Sequence, residues 1–148
     1  MLPLDCIQKI VKKLNETIYG DSWHNYNEFT IEVNPEYILE KGDDYVRALK
    51  VLGVNRISMG VQSFDDSILK WMNRRHDADG AEEAYWMLRG NDFRNISIDL
   101  IYGIGGMSDE VWEATVHKAI GLSLSHISAY QLSVEDNSAL ADLVDSGR

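Results

Sequence analysis

Apolar and polar positions alternate with a period of two in four short segments, residues 28–33, 56–62, 95–101 and 126–132. Their Ile, Val and aromatic content predicts strands. Between them apolar residues recur every three or four positions, the spacing of amphipathic helices. Ile7, Ile10, Val11, Leu14 and Ile18 mark the first helix. Val46, Leu49 and Leu52 mark one over residues 43–52, with Gly53 where a C′ glycine ends a helix. Ile68, Leu69 and Met72 predict a shorter helix, and Ala81, Ala84, Tyr85 and Leu88 another. Trp112, Thr115, Val116, Ala119 and Ile120 predict the last. Asn34 before Pro35 fits an N-cap and first-turn proline, so a helical turn is expected right after the first strand. The order α-β-α-β-α-α-β-α-β predicts an α/β fold with a parallel sheet, in one domain.

The two strand faces differ in character. Ile31 and Val33, Ile57, Met59 and Val61, and Ile96, Ile98 and Leu100 form an apolar face that should carry the helices. The other face holds Thr30, Glu32 and Asn34; Ser58, Gly60 and Gln62; Ser97, Asp99 and Ile101; Ser128, Tyr130 and Leu132. A doubly wound sheet buries both faces and reads apolar on both. Here Glu32, Gln62 and Asp99 lie toward the C-terminal ends of their strands, and a carboxylate inside a strand is costly without a partner or ligand. The pattern suits a barrel whose interior opens to a ligand at that end. The alternative is that these groups hydrogen-bond one another in a closed core.

Composition narrows the partners. The 148 residues carry a net charge of −10, which disfavours phosphate backbones and anionic lipid, so neither nucleic acid nor membrane is expected. No apolar run has the length of a membrane helix, and the start of the chain lacks a signal-peptide pattern. The one cysteine, Cys6, can form no internal disulfide and cannot alone hold an iron–sulfur cluster. A reducing cytoplasm is the expected compartment, and no metal ligands are assigned.

The motifs also carry a resemblance. Arg56-Ile57-Ser58-Met59-Gly60-Val61-Gln62-Ser63-Phe64, then Asn73-Arg74, then Ile98-Asp99-Leu100-Ile101-Tyr102-Gly103 resemble the radical S-adenosylmethionine enzymes of the oxygen-independent coproporphyrinogen III oxidase group. Glu32-Val33-Asn34-Pro35 is similar to that group's third-strand motif, and Tyr130-Gln131-Leu132-Ser133-Val134-Glu135 to its HemW branch of heme chaperones. The resemblance runs from about Cys6 to Leu140. It implies a partial (β/α)6 barrel of TIM type, of which residues 1–148 would be part, supplying strands three to six. The group's Cys-x3-Cys-x2-Cys loop and Gly-Gly-Thr-Pro stretch do not occur in this sequence. The chain is therefore expected to be a fragment, inactive alone, with the first strand exposed as a sheet edge through which it self-associates.

The resemblance also implies cofactors and roles. S-adenosylmethionine is the implied cofactor, with a [4Fe-4S] cluster in the full-length protein and heme for the HemW branch; a porphyrin or heme is the implied partner. Glu32 would sit near the methionyl end, Gln62 and Asp99 would hold the ribose hydroxyls, Arg74 would pair the carboxylate, and Ser133 would lie near the adenine. In an oxidase a 5′-deoxyadenosyl radical would abstract hydrogen from a propionate, and loss of carbon dioxide would leave a vinyl group. Heme binding and delivery is the alternative activity, and an unrelated barrel enzyme using Glu32 and Asp99 as acid and base is a third. The family's Gly-Leu-Pro-Gly is here Gly103-Ile104-Gly105-Gly106, which lacks the glycine spacing and lysine of a phosphate loop and reads as a turn.

The remaining candidates read as structural. His24, His76, His117 and His126 are scattered without metal-ligand spacing. His24 is expected on a surface loop and His76 on a solvated one. Trp71, Trp86 and Trp112 are expected to pack between elements.

Overall fold

The computed structural model of the chain describes residues 3–20, 26–134 and 141. Helix α1 (Leu4–Leu14) runs into a π-helical turn, Asn15–Tyr19. Then follow β1 (Thr30–Val33), α2 (Pro35–Val51), β2 (Arg56–Gln62), α3 (Asp66–Trp71), α4 (Ala78–Gly90), β3 (Asn95–Tyr102), α5 (Asp109–Gly121) and β4 (His126–Gln131). The strands form one parallel sheet in the order β1-β2-β3-β4. Sequential order with crossovers of one hand places the connecting helices on one face, which is the arrangement of a barrel wall and not of a doubly wound sheet.

The apolar face carries the core. Val33, Ile57, Met59, Val61, Ile96, Ile98 and Leu100 are buried together with Ile38, Val46 and Leu49 of α2, Ala84, Tyr85 and Leu88 of α4, and Ala119 of α5. Several elements end on identifiable bonds. Asp65, Asp77 and Ser108 accept from the backbone N–H groups of Ile68, Gly80 and Val111, capping α3, α4 and α5. Gly53, at φ 91°, closes α2 as expected, with the Val54 N–H donating to the Leu49 carbonyl. Helix α2 joins the turn expected after Pro35 to the helix expected from residue 43, with a break at Gly42, whose φ is 70° and ψ −174°.

The structure shifts some expectations. Regular pairing in the first strand begins at Thr30, not at residue 28, because the Asn55 side chain takes the Phe29 N–H and the Tyr26 carbonyl. The first helix buries Ile7 and Val11 but leaves Ile10, Leu14 and Ile18 exposed, with Ile10 and Leu14 bordering an apolar hollow beside Phe29 and Ile31. Trp86 is 58% and Trp71 48% exposed, so neither is buried between elements, although the Trp86 ring meets the neighbouring Tyr85 edge-on at 5.0 Å; Trp112 does pack, 5.4 Å from the Tyr102 ring. The Gly103–Gly106 segment is a turn anchored by buried Ile104. His76 is buried, not solvated. His24 and Glu135 lie outside the described residues. Among the described residues no helix is long and apolar enough to cross a membrane.

Candidate functional site

Parallel register stacks the polar face into rows. Glu32 stands beside Ser58 and Ser58 beside Ser97; one step further, Gly60 stands beside Asp99 and Asp99 beside Ser128. Near the start of the strands the row is closed by its own bonds. Arg56 donates to Thr30 Oγ1 and to Ser97 Oγ, each at 3.2 Å, and Ser97 Oγ lies 3.3 Å from both Ser58 Oγ and the Ile57 carbonyl.

Toward the C-terminal ends the face opens into a pocket of about 560 Å3. Its walls include Glu32, Asn34, Ser58, Gly60, Gln62 and Asp99 from the strands and their ends, Glu36, Tyr37 and Glu40 from α2, and Arg75 from the loop after α3. A volume of this order is typical of small-molecule and cofactor sites. Gly60 is its floor. A Cβ there would lie 2.8 Å from Gln62 Nε2, 3.0 Å from Asn34 Oδ1 and 3.4 Å from Arg74 Nη2. Three polar side chains from three segments thus converge over the one residue that has no side chain.

Several of these groups lack protein partners. Among the described residues the side chains of Glu32, Asn34 and Gln62 make no hydrogen bond, and Asp99 accepts only a long one, 3.4 Å, from Ser58 Oγ. Arg74 Nη2 donates to the Gly60 carbonyl at 3.3 Å, while its Nε is buried without a partner. Glu32 and Asn34 are exposed and Gln62 and Asp99 half-buried, so their polar atoms are open to the pocket; a buried polar atom without a partner, as at Arg74 Nε, is rare. Gln62 is also set in unusual backbone, at φ 70°, with the Ser63 N–H donating to the Val61 carbonyl across it.

The structure therefore brings Glu32, Gln62, Asp99 and Arg74 to one place. Ser133 is not among them; it is exposed beyond the end of β4. The two arginines diverge, Arg74 against Gly60 with its Nη2 on the Gly60 carbonyl and Arg75 on the pocket wall, ion-paired with Glu40. Sequence reasoning missed Asn34, Arg75 and His76. Asn34 does stand at the N-cap position of α2, but it makes no cap bond and turns its side chain over Gly60 instead. A free N-cap side chain beside a strand carboxylate is a signal only once the third dimension is known.

A family model described as the radical SAM superfamily matches residues 5–119. The chain is 31% identical to the heme chaperone HemW of Bacillus subtilis (strain 168) over 142 residues, 96% of this chain and 36% of that protein. It is 36% identical to the oxygen-independent coproporphyrinogen III oxidase of Thermostichus vulcanus over 110 residues, 74% of this chain and 33% of that protein. It thus spans about a third of the length of these relatives. Among solved structures it is similar to the Escherichia coli coproporphyrinogen III oxidase HemN, titled a radical SAM enzyme. The TM-score is 0.76 and the identity 25%, over 99% of this chain and 38% of the other. The family match covers most of the chain and the sheet follows the same fold, and on these grounds the chain belongs to the radical SAM superfamily.

Proposed function

We propose that the pocket over Gly60 binds S-adenosylmethionine and that the chain is the cofactor-binding arc of a radical protein of heme metabolism. The observation that carries this is the convergence of polar side chains on a glycine floor: Asn34, Gln62 and Arg74 meet around Gly60, and Glu32 and Asp99 line the same pocket without close protein partners among the described residues. The donor set fits the ligand. S-adenosylmethionine carries a sulfonium, an ammonium, a carboxylate and two ribose hydroxyls. The acidic wall of Glu32, Glu36, Glu40 and Asp99 suits the cationic end, a guanidinium suits the carboxylate, and amide and carboxylate groups suit the hydroxyls. Asp99 and Gln62 are assigned to the ribose, Glu32 to the methionyl end, Arg74 to the carboxylate and Ser133 to the adenine side.

Radical SAM proteins in general pair this cofactor with an iron–sulfur cluster, and the bound pair supplies one-electron, hydrogen-abstracting chemistry. Cys6, in the first turn of α1 and away from the pocket lining, does not fit as a cluster site, so no step is assigned to one here. What these residues do is bind, orient and shield the cofactor.

For the full-length protein two readings follow from the relatives' names. The match to HemW over 96% of the chain favours heme binding and delivery. The likeness to the T. vulcanus oxidase and to HemN favours oxidative decarboxylation of a coproporphyrinogen side chain. Anaerobic calorimetric titration of the full-length protein with S-adenosylmethionine tests the site, and absence of binding refutes it. Incubation with heme and with coproporphyrinogen III then separates the readings. Stable heme transfer without turnover identifies the chaperone, and vinyl product with carbon dioxide identifies the oxidase.

A further inference from the structure

We propose that His76 is a positioning residue for this pocket, holding the Val61 carbonyl so that Gln62 points over Gly60; the inference rests on the cofactor reading above. The His76 side chain is 1% exposed, and both ring nitrogens face acceptors: Nδ1 is 3.0 Å from Glu36 Oε2 and Nε2 is 3.0 Å from the Val61 carbonyl. A carbonyl oxygen can only accept, so Nε2 carries a hydrogen and donates it. Val61 is the residue skipped between the pairings Gly60–Asp99 and Gln62–Leu100, so its carbonyl stands at the irregularity in the ladder. The same oxygen accepts from the Ser63 N–H at 2.9 Å. That bond spans two residues and closes a turn around Gln62 at φ 70°, a conformation a residue other than glycine keeps only when its surroundings over-determine it.

His76 supplies the second constraint on that oxygen. Its own place is fixed from both sides. The Arg74 N–H donates to the Leu69 carbonyl at the end of α3, and Asp77 caps α4 through the Gly80 N–H. At the other end of the imidazole, Glu36 belongs both to the first turn of α2 and to the pocket wall. Glu36, His76, Val61 and Gln62 thus form a strut that sets the distance between two walls of the site. No cofactor contact by His76 is needed.

Two amide variants dissect the strut. In His76→Gln the amide nitrogen can replace Nε2 and keep the bond to Val61; in His76→Asn it can replace only Nδ1 and keep Glu36. Titration of the full-length protein with S-adenosylmethionine should show about tenfold weaker binding for His76→Asn and a change within about threefold for His76→Gln, the worth of one lost hydrogen bond. Apo melting temperatures should fall alike in both. In a Gln62→Ala background His76→Asn should cost no further affinity, because the two act as one unit. Amide hydrogen exchange should accelerate at Ser63 in His76→Asn and not in His76→Gln, a readout that needs no ligand. Equal affinity loss in the two variants, no loss in either, or a full His76→Asn penalty without Gln62 would overturn the inference while leaving the cofactor reading intact. A wild-type protein that binds no S-adenosylmethionine would overturn both.

Discussion

Replacing Gly60 by alanine adds one methyl group at the convergence point of the site. The new Cβ would stand 2.8 Å from Gln62 Nε2 and 3.0 Å from Asn34 Oδ1. Ordinary contact begins near 3.4 Å, so the two groups must retreat by about 0.6 and 0.4 Å. Arg74 Nη2, at 3.4 Å, is just in contact and can stay. Each clashing atom is the end of a flexible side chain, so the backbone of β2 need not move. Gly60 has no positive φ, and alanine there lowers unfolded-state entropy, a gain of about 0.4–1 kcal/mol. The apo protein should therefore melt within a few degrees of wild type. Binding should suffer, since two groups aimed at the ligand are displaced by a sizeable part of a hydrogen-bond tolerance. At about 0.5–1.5 kcal/mol per neutral bond the loss is about 1–3 kcal/mol, or roughly 5- to 150-fold in Kd. Anaerobic titration with S-adenosylmethionine beside thermal melts of the apo variant reads both quantities. Unchanged affinity would refute the placement of the cofactor over Gly60. A collapse in apo stability would show that Gln62 and Asn34 hold the structure instead of serving a ligand.

The other predictions divide between ligand and scaffold. Asp99→Ala should weaken S-adenosylmethionine binding more than Gln62→Ala, because bonds to a charged group are worth about 1.5–3 kcal/mol against about 0.5–1.5 for neutral ones; Arg74→Lys should also lose affinity, since an ammonium cannot reproduce a two-pronged clamp. Ser97→Ala should do the opposite, lowering apo stability by about 1–3 kcal/mol, because it removes the bond from the Arg56 guanidinium to Ser97 and leaves that guanidinium Thr30, while titration finds the affinity unchanged. The Tyr45 hydroxyl is buried with no partner among the described residues, and burial, with the Tyr37 phenol adding to it, pushes it up to about 12. Tyr45→Phe should leave the melting temperature equal or higher at neutral pH. Because the folded value lies above the unfolded one near 10, the wild type should lose stability as pH rises from about 10 through about 12, and Tyr45→Phe should not lose it through this group. The 148-residue chain should self-associate through the edge at β1 and the neighbouring stripe of Ile10, Leu14 and Ile18. Sedimentation should show Leu14→Lys shifting the equilibrium toward monomer, and a wild type monomeric across a wide concentration range would count against it.

The fold was legible because its signals are local and periodic. Alternation at residues 56–62 and 95–101 set both the strands and their two faces, and the register then put Glu32, Ser58 and Asp99 on one side, as the alternation requires. Gly53 and Gly42 punctuate α2 through backbone angles that only the local residue decides. The site was legible in part, for the same reason: strand residues point where their parity sends them. What the sequence concealed sits in loops and at helix ends. Arg74, Arg75 and His76 are consecutive, yet one lies against Gly60, one on the pocket wall and one in the core. Three directions for three adjacent polar side chains follow from the path of the loop after α3, where Asn73 at φ 54° reverses the chain, and no periodicity encodes that path. Trp86 misled for the opposite reason: its type suggests burial, but it lies on the outward side of a helix whose inward side is filled by Ala81, Ala84, Tyr85 and Leu88.

The rival account of the polar face was a closed core in which Glu32, Gln62 and Asp99 satisfy one another, and the hydrogen bonds answer it by their distribution along the strands. In the N-terminal half the face does close on itself: Arg56 reaches Thr30 and Ser97, and Ser97 meets Ser58 and the Ile57 carbonyl. If stability alone had shaped the other half, the same economy should continue upward. Instead Asp99 keeps one long bond, Glu32, Asn34 and Gln62 keep none among the described residues, and a guanidinium nitrogen is buried without a partner. Glu32 and Asn34 are exposed and bear no such cost, but leaving the Arg74 Nε buried and unpaired costs about 1–3 kcal/mol, and the Gln62 backbone adds strain of similar order. Within the polar face these costs fall at the open end and not in the hydrogen-bonded rows below it. The boundary between the two zones falls at Ser58, whose hydroxyl is bonded on one side to Ser97 and on the other, weakly, to Asp99. The face is therefore divided, hydrogen-bonded to itself below that boundary and open to the pocket above it, which is where the proposed cofactor would sit.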